Sequence, residues 1–397
     1  MHRLRACLRA AHAPMPPVNA PYRPEGLLAR PLYARVDAGA VAHNLARLRA
    51  ALPAAGAPRL WATVKADAYG HGLARVLPAL READGLAVLH LDEARNCRRL
   101  GWRGPVLVYG GLYSQADTLL LDTPGLHLVI THAAQLQWLA ESPAAERPAV
   151  WLRFAGDIHH TGFCADDYPA AFEAAAALAA RGLVGEVGHL NHYARADEAD
   201  GVATADAEFR DVIRGLPGPV STSNSAAVLR HGAQAAATQW VRPGLALYGA
   251  SPFADRSAAD LDLLPAMSLH SQVVGVQRVK AGAGVGYSGA FQATESMDVG
   301  IVTCGYADGY PRHAPTGTPV VVAGTRTRLL GRVSMDMMAV DLGPVPQAGI
   351  GAPVTLWGAD GLSVEDVAAS AGTIAAQLLT GLSARVPVAQ AGAGPAR

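Results

Sequence analysis

Leu60-Trp61-Ala62-Thr63-Val64-Lys65-Ala66-Asp67-Ala68-Tyr69-Gly70-His71-Gly72 is the stretch from which the rest of the chain is best read. Leu60 to Val64 is an apolar, strand-like run that ends on a lysine. A small, polar, glycine-bounded turn follows, and then a helix-like segment. A lysine at the C-terminal mouth of a buried strand loses hydration that something must offset. Lysine in such a place binds an anion or forms a Schiff base with a carbonyl. A surface lysine at a strand end is the plainer alternative, and one motif does not choose between them.

Outward from this stretch, short apolar runs alternate with alanine- and leucine-rich helical segments. The strand candidates are Tyr33–Val36, Leu60–Val64, Gly85–Val88, Val106–Tyr109, His127–Ile130, Ala149–Phe154, Gly185–Leu190 and Val220–Thr222. Helices fit between them, at Val41–Leu52, Asp92–Leu100, Ala133–Ala140 and Tyr168–Ala180. This alternation predicts an α/β fold, either a barrel or a doubly wound sheet. Lys65 and His192 each follow a strand, which is where (β/α)8 barrels carry their functional residues. After about Ser251 the texture changes. Ser271–Val279, Val299–Thr303, Pro319–Val322, Met337–Leu342 and Pro353–Trp357 are short β-rich runs between glycine and proline turns, with one late helix around Ser363 to Leu379. The predicted organisation is an extension at 1–28, a (β/α)8 TIM-like barrel at 29–251 and a mostly β domain at 252–397.

A chain of 397 residues exceeds the ~250–300 at which a single core stops growing. Half of the residues are hydrophobic and the formal net charge is zero. That balance argues against nucleic acid or an anionic membrane as the main partner. Cys7, Cys97, Cys164 and Cys304 show no paired spacing, which suits a reducing cytoplasm rather than a disulfide framework. No apolar run is long enough to span a bilayer. Arg3, Arg5 and Arg9 interrupt any secretory apolar core at the N-terminus. Residues 1–28 are expected to be a disordered or mis-annotated extension, with Met15 as an alternative start.

Val64-Lys65-Ala66-Asp67-Ala68-Tyr69-Gly70-His71-Gly72 resembles the pyridoxal-phosphate signature of the alanine racemases. Three further segments resemble the same family in the same order: Val241-Arg242-Pro243-Gly244-Leu245-Ala246-Leu247-Tyr248-Gly249, Gly284-Val285-Gly286-Tyr287-Ser288-Gly289, and Gly305-Tyr306-Ala307-Asp308-Gly309-Tyr310-Pro311-Arg312. The resemblance runs from about Arg30 to Pro387. It implies a barrel that holds pyridoxal 5'-phosphate, a C-terminal β domain, and a homodimer whose active sites form between subunits. The implied reaction is two-base interconversion of L-alanine and D-alanine, supplying D-alanine for peptidoglycan, with no metal.

The same resemblance implies roles for residues. Lys65 would hold the cofactor covalently and act as the base on one face. Tyr287, from the partner subunit, would act on the other; a phenol titrates near ~10 and needs cationic neighbours for this. Tyr69 would lie near the phosphate. Ser225 and the backbone N–H groups of Gly244 and Leu245 would hold it. Arg242 would face the pyridine nitrogen, and its guanidinium, which does not readily give up a proton, would keep that nitrogen unprotonated. His192, in His192-Tyr193-Ala194-Arg195-Ala196-Asp197, would link Arg242 to the tyrosine base. Met335 and Asp336 match a substrate-carboxylate segment, Tyr306 an inner gate, and His160 a substrate-binding position.

The resemblance lapses in Trp151-Leu152-Arg153-Phe154-Ala155-Gly156-Asp157-Ile158-His159-His160-Thr161-Gly162-Phe163. The family usually has a lysine, often carbamylated, where this chain has Arg153, and an arginine where it has His160. Ala376 stands where a phosphate-bonding tyrosine is usual; one lost charged hydrogen bond is worth ~1.5–3 kcal/mol. These departures leave a divergent pyridoxal-phosphate-binding homologue, with weak or no alanine racemase activity or another amino acid as substrate, as the alternative. A metal-dependent barrel hydrolase built on Asp157, His159, His160, His189 and His192 is the reading from another class, but no ligand-like spacing supports it.

Overall fold

The structure, a computed structural model, describes residues 30–54 and 56–390; the extension expected at 1–28 lies outside them. Eight parallel strands close into a barrel: β2 (Arg59–Thr63), β3 (Gly85–Val88), β4 (Val106–Val108), β5 (Leu126–Ile130), β6 (Ala149–Arg153), β7 (Val187–Leu190), β8 (Val220–Ser221) and β9 (Trp240–Val241), with β9 returning to β2. The strands are Val/Leu-rich and nearly all buried, as parallel strands covered on both faces must be.

Two sequence expectations change here. Tyr33–Val36, expected within the barrel region, is strand β1, and it leaves the barrel. It pairs antiparallel with β10 (Met267–Val279) and parallel with β18 (Val388–Gln390). The strand that closes the barrel is the two-residue β9, too short to register as an apolar run. Its register with β2 is Arg59↔Trp240 and Leu60↔Val241.

Tryptophans fill the barrel interior. Trp61 stacks on Trp240 with ring centroids 3.9 Å apart, and Trp151 Nε1 donates to His127 Nδ1 at 3.0 Å. Burial, with the charge of Arg59, pushes the His127 imidazole down to about 4, so it stays a neutral acceptor. The indoles fit because glycines face them: a Cβ at Gly85 would lie 2.2 Å from Trp61. With the interior packed, the open space lies at the C-terminal ends of the strands.

Helix Tyr168–Ala180 buries Tyr168, Ala171, Phe172, Ala175 and Leu178, one stripe at helical spacing. Tyr168 Oη donates to Leu152 O and meets His189 Nδ1, each at 3.0 Å, tying the helix to β6 and β7. The second sheet, mostly antiparallel, runs in the order β13 (Met297–Val302), β16 (Met338–Asp341), β15 (Thr325–Leu330), β14 (Pro319–Val322), β17 (Pro353–Trp357), β10, β1, β18. Strand β15 was not foreseen. It joins β14 through Ala323 (φ 46°) and Gly324 (φ 80°), a two-residue hairpin with both central residues left-handed. The late helix is two, Val364–Ala371 and Ala375–Thr380, separated at Gly372 (φ 68°).

Candidate active site

The residues after Lys65 form the expected glycine-bounded turn, with helix Leu73–Val76 after it, but the turn is left-handed. Ala66, Asp67, Ala68 and Tyr69 have φ of 55°, 50°, 57° and 53°, a left-handed turn that costs about 1–2 kcal/mol per residue. Several contacts offset the cost. Glu93 accepts from the N–H of Ala66 at 2.9 Å and of Leu89 at 2.7 Å, fastening the turn to the end of β3. Asp67 Oδ1 accepts from Leu73 N–H at 2.7 Å. His71 Nδ1 donates to the carbonyls of Ala68 and Tyr69, each at 3.0 Å. Helix Ala375–Thr380 packs so closely that a Cβ at Gly70 would lie 2.2 Å from Leu379 O. The turn lifts Lys65 into the barrel mouth and leaves the Tyr69 ring stacked on Tyr248 at 4.9 Å.

A cavity of about 740 Å³ opens there, and Lys65, Tyr69, His160, His192, Ser225, Arg242, Gly244 and Leu245 all line it. Burial pushes the Lys65 ammonium below its ordinary range; Glu93 opposes the shift and Arg153 adds to it. Arg242 is 3% exposed. It donates to Ser221 Oγ at 2.5 Å and Asn191 O at 2.6 Å, while its buried Nε has no partner. Burial, then the charges of Arg242, Arg153, Lys65 and His160, hold the His192 imidazole down to about 3. Arg242 donates to the Asn191 carbonyl, and no hydrogen bond joins it to the His192 ring. Ser225 Oγ accepts from Gly244 N–H at 2.9 Å, so the Gly244 donor expected to be free is engaged. A Cβ at Gly244 would lie 2.6 Å from Tyr69 Oη, so glycine is what lets that hydroxyl settle over the β9 end.

Tyr287, Tyr306, Met335 and Asp336 sit on the second domain, outside this cavity. Tyr287 is 65%, Met335 51% and Tyr306 40% exposed. Their loops are laced together: Tyr306 N–H donates to Ser334 O and Ala307 N–H to Met335 O, each at 3.0 Å. Asp336 pairs with Arg385, which also donates to Asp308 at 2.7 Å. Asp308, fully buried, takes a second guanidinium from Arg30 at 2.6 Å.

Sequence reasoning missed Tyr109 and Asn191. Tyr109 lines the cavity, has its Oη 3.1 Å from Thr63 Oγ1, and lies under the Lys65 ammonium at 5.5 Å. It follows β4 as Lys65 follows β2, a signal that the strand-end rule supplies. Asn191, after β7, was equally accessible to that rule. Ala376, half-buried on helix Ala375–Thr380, is not among the residues that line the cavity.

No group of three or more His, Cys, Asp or Glu among the described residues could hold a metal ion. His189 is buried against Tyr168 and Pro217 O, away from the exposed His159 and His160. The histidines of the hydrolase reading are therefore dispersed.

Residues 36–252 match the family model for the alanine racemase N-terminal domain, and residues 266–390 the one for its C-terminal domain. The chain belongs to the alanine racemase family. An alanine racemase of Bordetella petrii is 51% identical over 373 residues, covering 90% of this chain and 98% of the relative. One from Methylibium petroleiphilum is 48% identical, covering 92% and 100%. The crystal structure of a biosynthetic alanine racemase from Pseudomonas aeruginosa superposes with a TM-score of 0.83 at 40% identity, covering 91% of this chain and 99% of that one. The likeness to alanine racemases thus spans both the barrel and the second sheet. It favours racemase function over an inactive homologue.

Proposed function

We propose that this chain interconverts L-alanine and D-alanine with pyridoxal 5'-phosphate, as a cytoplasmic homodimer that supplies D-alanine for peptidoglycan. The observation that carries the reading is Arg242: a buried guanidinium, braced by Ser221 and Asn191, with its Nε unpartnered in the cavity that holds Lys65. A donor that keeps its proton suits an unprotonated ring nitrogen. The Ser225 hydroxyl, Tyr69 and the Leu245 N–H suit the phosphate; with Gly244 N–H engaged by Ser225, Gly244 contributes by leaving room. When bound, the cofactor supplies the electron sink that acidifies the substrate α-C–H.

The chain's own residues move the proton. Lys65, desolvated and easier to deprotonate than an ordinary lysine, takes or returns it on one face. Tyr287 Oη of a second copy does so on the other. His192, with its imidazole near 3, brings no charge to the exchange. Tyr306 and Met335 of the second copy would narrow the cavity toward a small side chain, and Asp336, gripped by Arg385, would hold Met335 in place. His160, at the rim, offers a hydrogen bond to the substrate. Exposure of Tyr287, Tyr306, Met335 and Met337 in a single copy supports a partner that covers them. Three described cysteines without a disulfide suit the cytoplasm, and no helix among the described residues is long and apolar enough to cross a membrane.

The test uses the protein purified with pyridoxal 5'-phosphate and offered L-alanine, L-serine and L-lysine. Racemisation should be fastest with alanine. Lys65 and Lys280 are the only lysines in the sequence, so borohydride reduction followed by peptide mapping gives a clear answer. The label should lie on Lys65, and Lys65→Ala should lose both the visible absorbance band and turnover. A label on Lys280, or turnover by Lys65→Ala, would refute the assignment.

A further inference from the structure

Arg153 is a cation without a counter-ion. It ends β6 and lines the cavity with Lys65 and Arg242. Its Nε is shielded from solvent and has no hydrogen-bond partner. The ion pairs formed by described residues lie elsewhere, as at Arg30, Arg230 and Arg385. No described carboxylate pairs with Arg153: Glu93 accepts from the N–H groups of Ala66 and Leu89, and Asp157 from that of Ala194. Lys65, Arg153 and Arg242 therefore share one cavity whose lining offers a single acid, Asp197, which is exposed. Like charges drawn from water at close quarters need an anion to offset them.

Topology says which anion it is not. In the barrel order β2-β3-β4-β5-β6-β7-β8-β9, β6 stands diametrically across from β2. The groups suited to phosphate follow β2, β8 and β9: Tyr69, Ser225 and Leu245. Arg153 rises from the opposite wall, so the phosphate does not neutralise it. His160, the other basic group on that side, is exposed and carries no permanent charge. A guanidinium stays charged and presents a fork that matches a carboxylate.

We propose that Arg153 anchors the α-carboxylate of the amino-acid substrate. This deepens the racemase reading and rests on it. Arginine placed directly on the strand end supplies fixed charge without a second group to orient it.

Propionate, which has the carboxylate but no amino group, is the probe. Its inhibition constant, and its stabilisation of the cofactor-loaded protein against heat, would be measured for the wild type, Arg153→Met and Arg153→Lys, beside KM and kcat for both alanine enantiomers. Arg153→Met should raise the propionate constant and both KM values by about 10–100-fold, the loss of a charged hydrogen bond, with a smaller change in kcat; Arg153→Lys should lie between. Unchanged propionate affinity in an Arg153→Met protein that keeps its visible absorbance would overturn the proposal. So would a displaced absorbance with propionate binding intact, which would assign Arg153 to a cofactor oxygen. If Arg153→Met does not fold, Arg153→Lys must show weakened propionate binding, and equal binding would overturn the proposal. A wild type that binds propionate yet does not racemise alanine would instead refute the reading of the reaction.

Discussion

Lys65 and Arg153 line the barrel mouth from opposite strands, and the Arg153 charge changes what Lys65 can do. Burial lowers the Lys65 ammonium, and the Arg153 charge lowers it further. That charge is permanent, because a guanidinium offers no free amine to capture carbon dioxide. Activity should therefore be the same in carbon-dioxide-free and bicarbonate-buffered assays. A fall on degassing, reversed by bicarbonate, would contradict a site that relies on Arg153 as it stands. Lys65, Ser225 and Arg242 were legible because their motifs are local. The solitary state of Arg153 was not, because a sequence names a cation but not which carboxylates are already taken. Glu93 and Asp157 are both held by backbone N–H groups.

Two elements hold the site's geometry under strain or burial: the left-handed turn at Ala66–Tyr69 and the laced loops around Asp308. Hydrogen bonds from Arg30, the Gly305 N–H and Arg385 outweigh burial and keep the Asp308 carboxyl below its ordinary range. Its folded value lies under its unfolded one, so its contribution is present above the unfolded value and is lost as pH falls through the folded value. Asp308→Asn should cost stability near the lower end of ~3–5 kcal/mol, since both arginines are partly exposed, and should flatten the acid limb. Urea unfolding at a series of pH values checks this; parallel curves for the two proteins would count against it. Long elements were readable from pattern: helix Tyr168–Ala180 has the expected bounds. The left-handed turn was not, because Ala-Asp-Ala-Tyr carries no glycine to signal positive φ. Strand β9 was hidden by its two-residue length, and β1 by a burial pattern that suits either sheet.

Across the molecule, both ends of the described chain meet in the second sheet, where β1 lies between β10 and β18. The barrel carries Lys65 in its mouth, while Tyr287, Tyr306 and Met335 stand exposed on the other domain. On the proposed function, a complete site needs two copies, with Lys65 from one and Tyr287 from the other. Lys65→Ala and Tyr287→Phe proteins, each inactive or nearly so alone, can be mixed, exchanged and purified as heterodimers bearing two different tags. Such a heterodimer contains one site with neither base and one with both. Alanine racemisation should return in the heterodimer fraction, well above either parent. Verified heterodimers that stay as inactive as their parents would contradict a site shared between two copies.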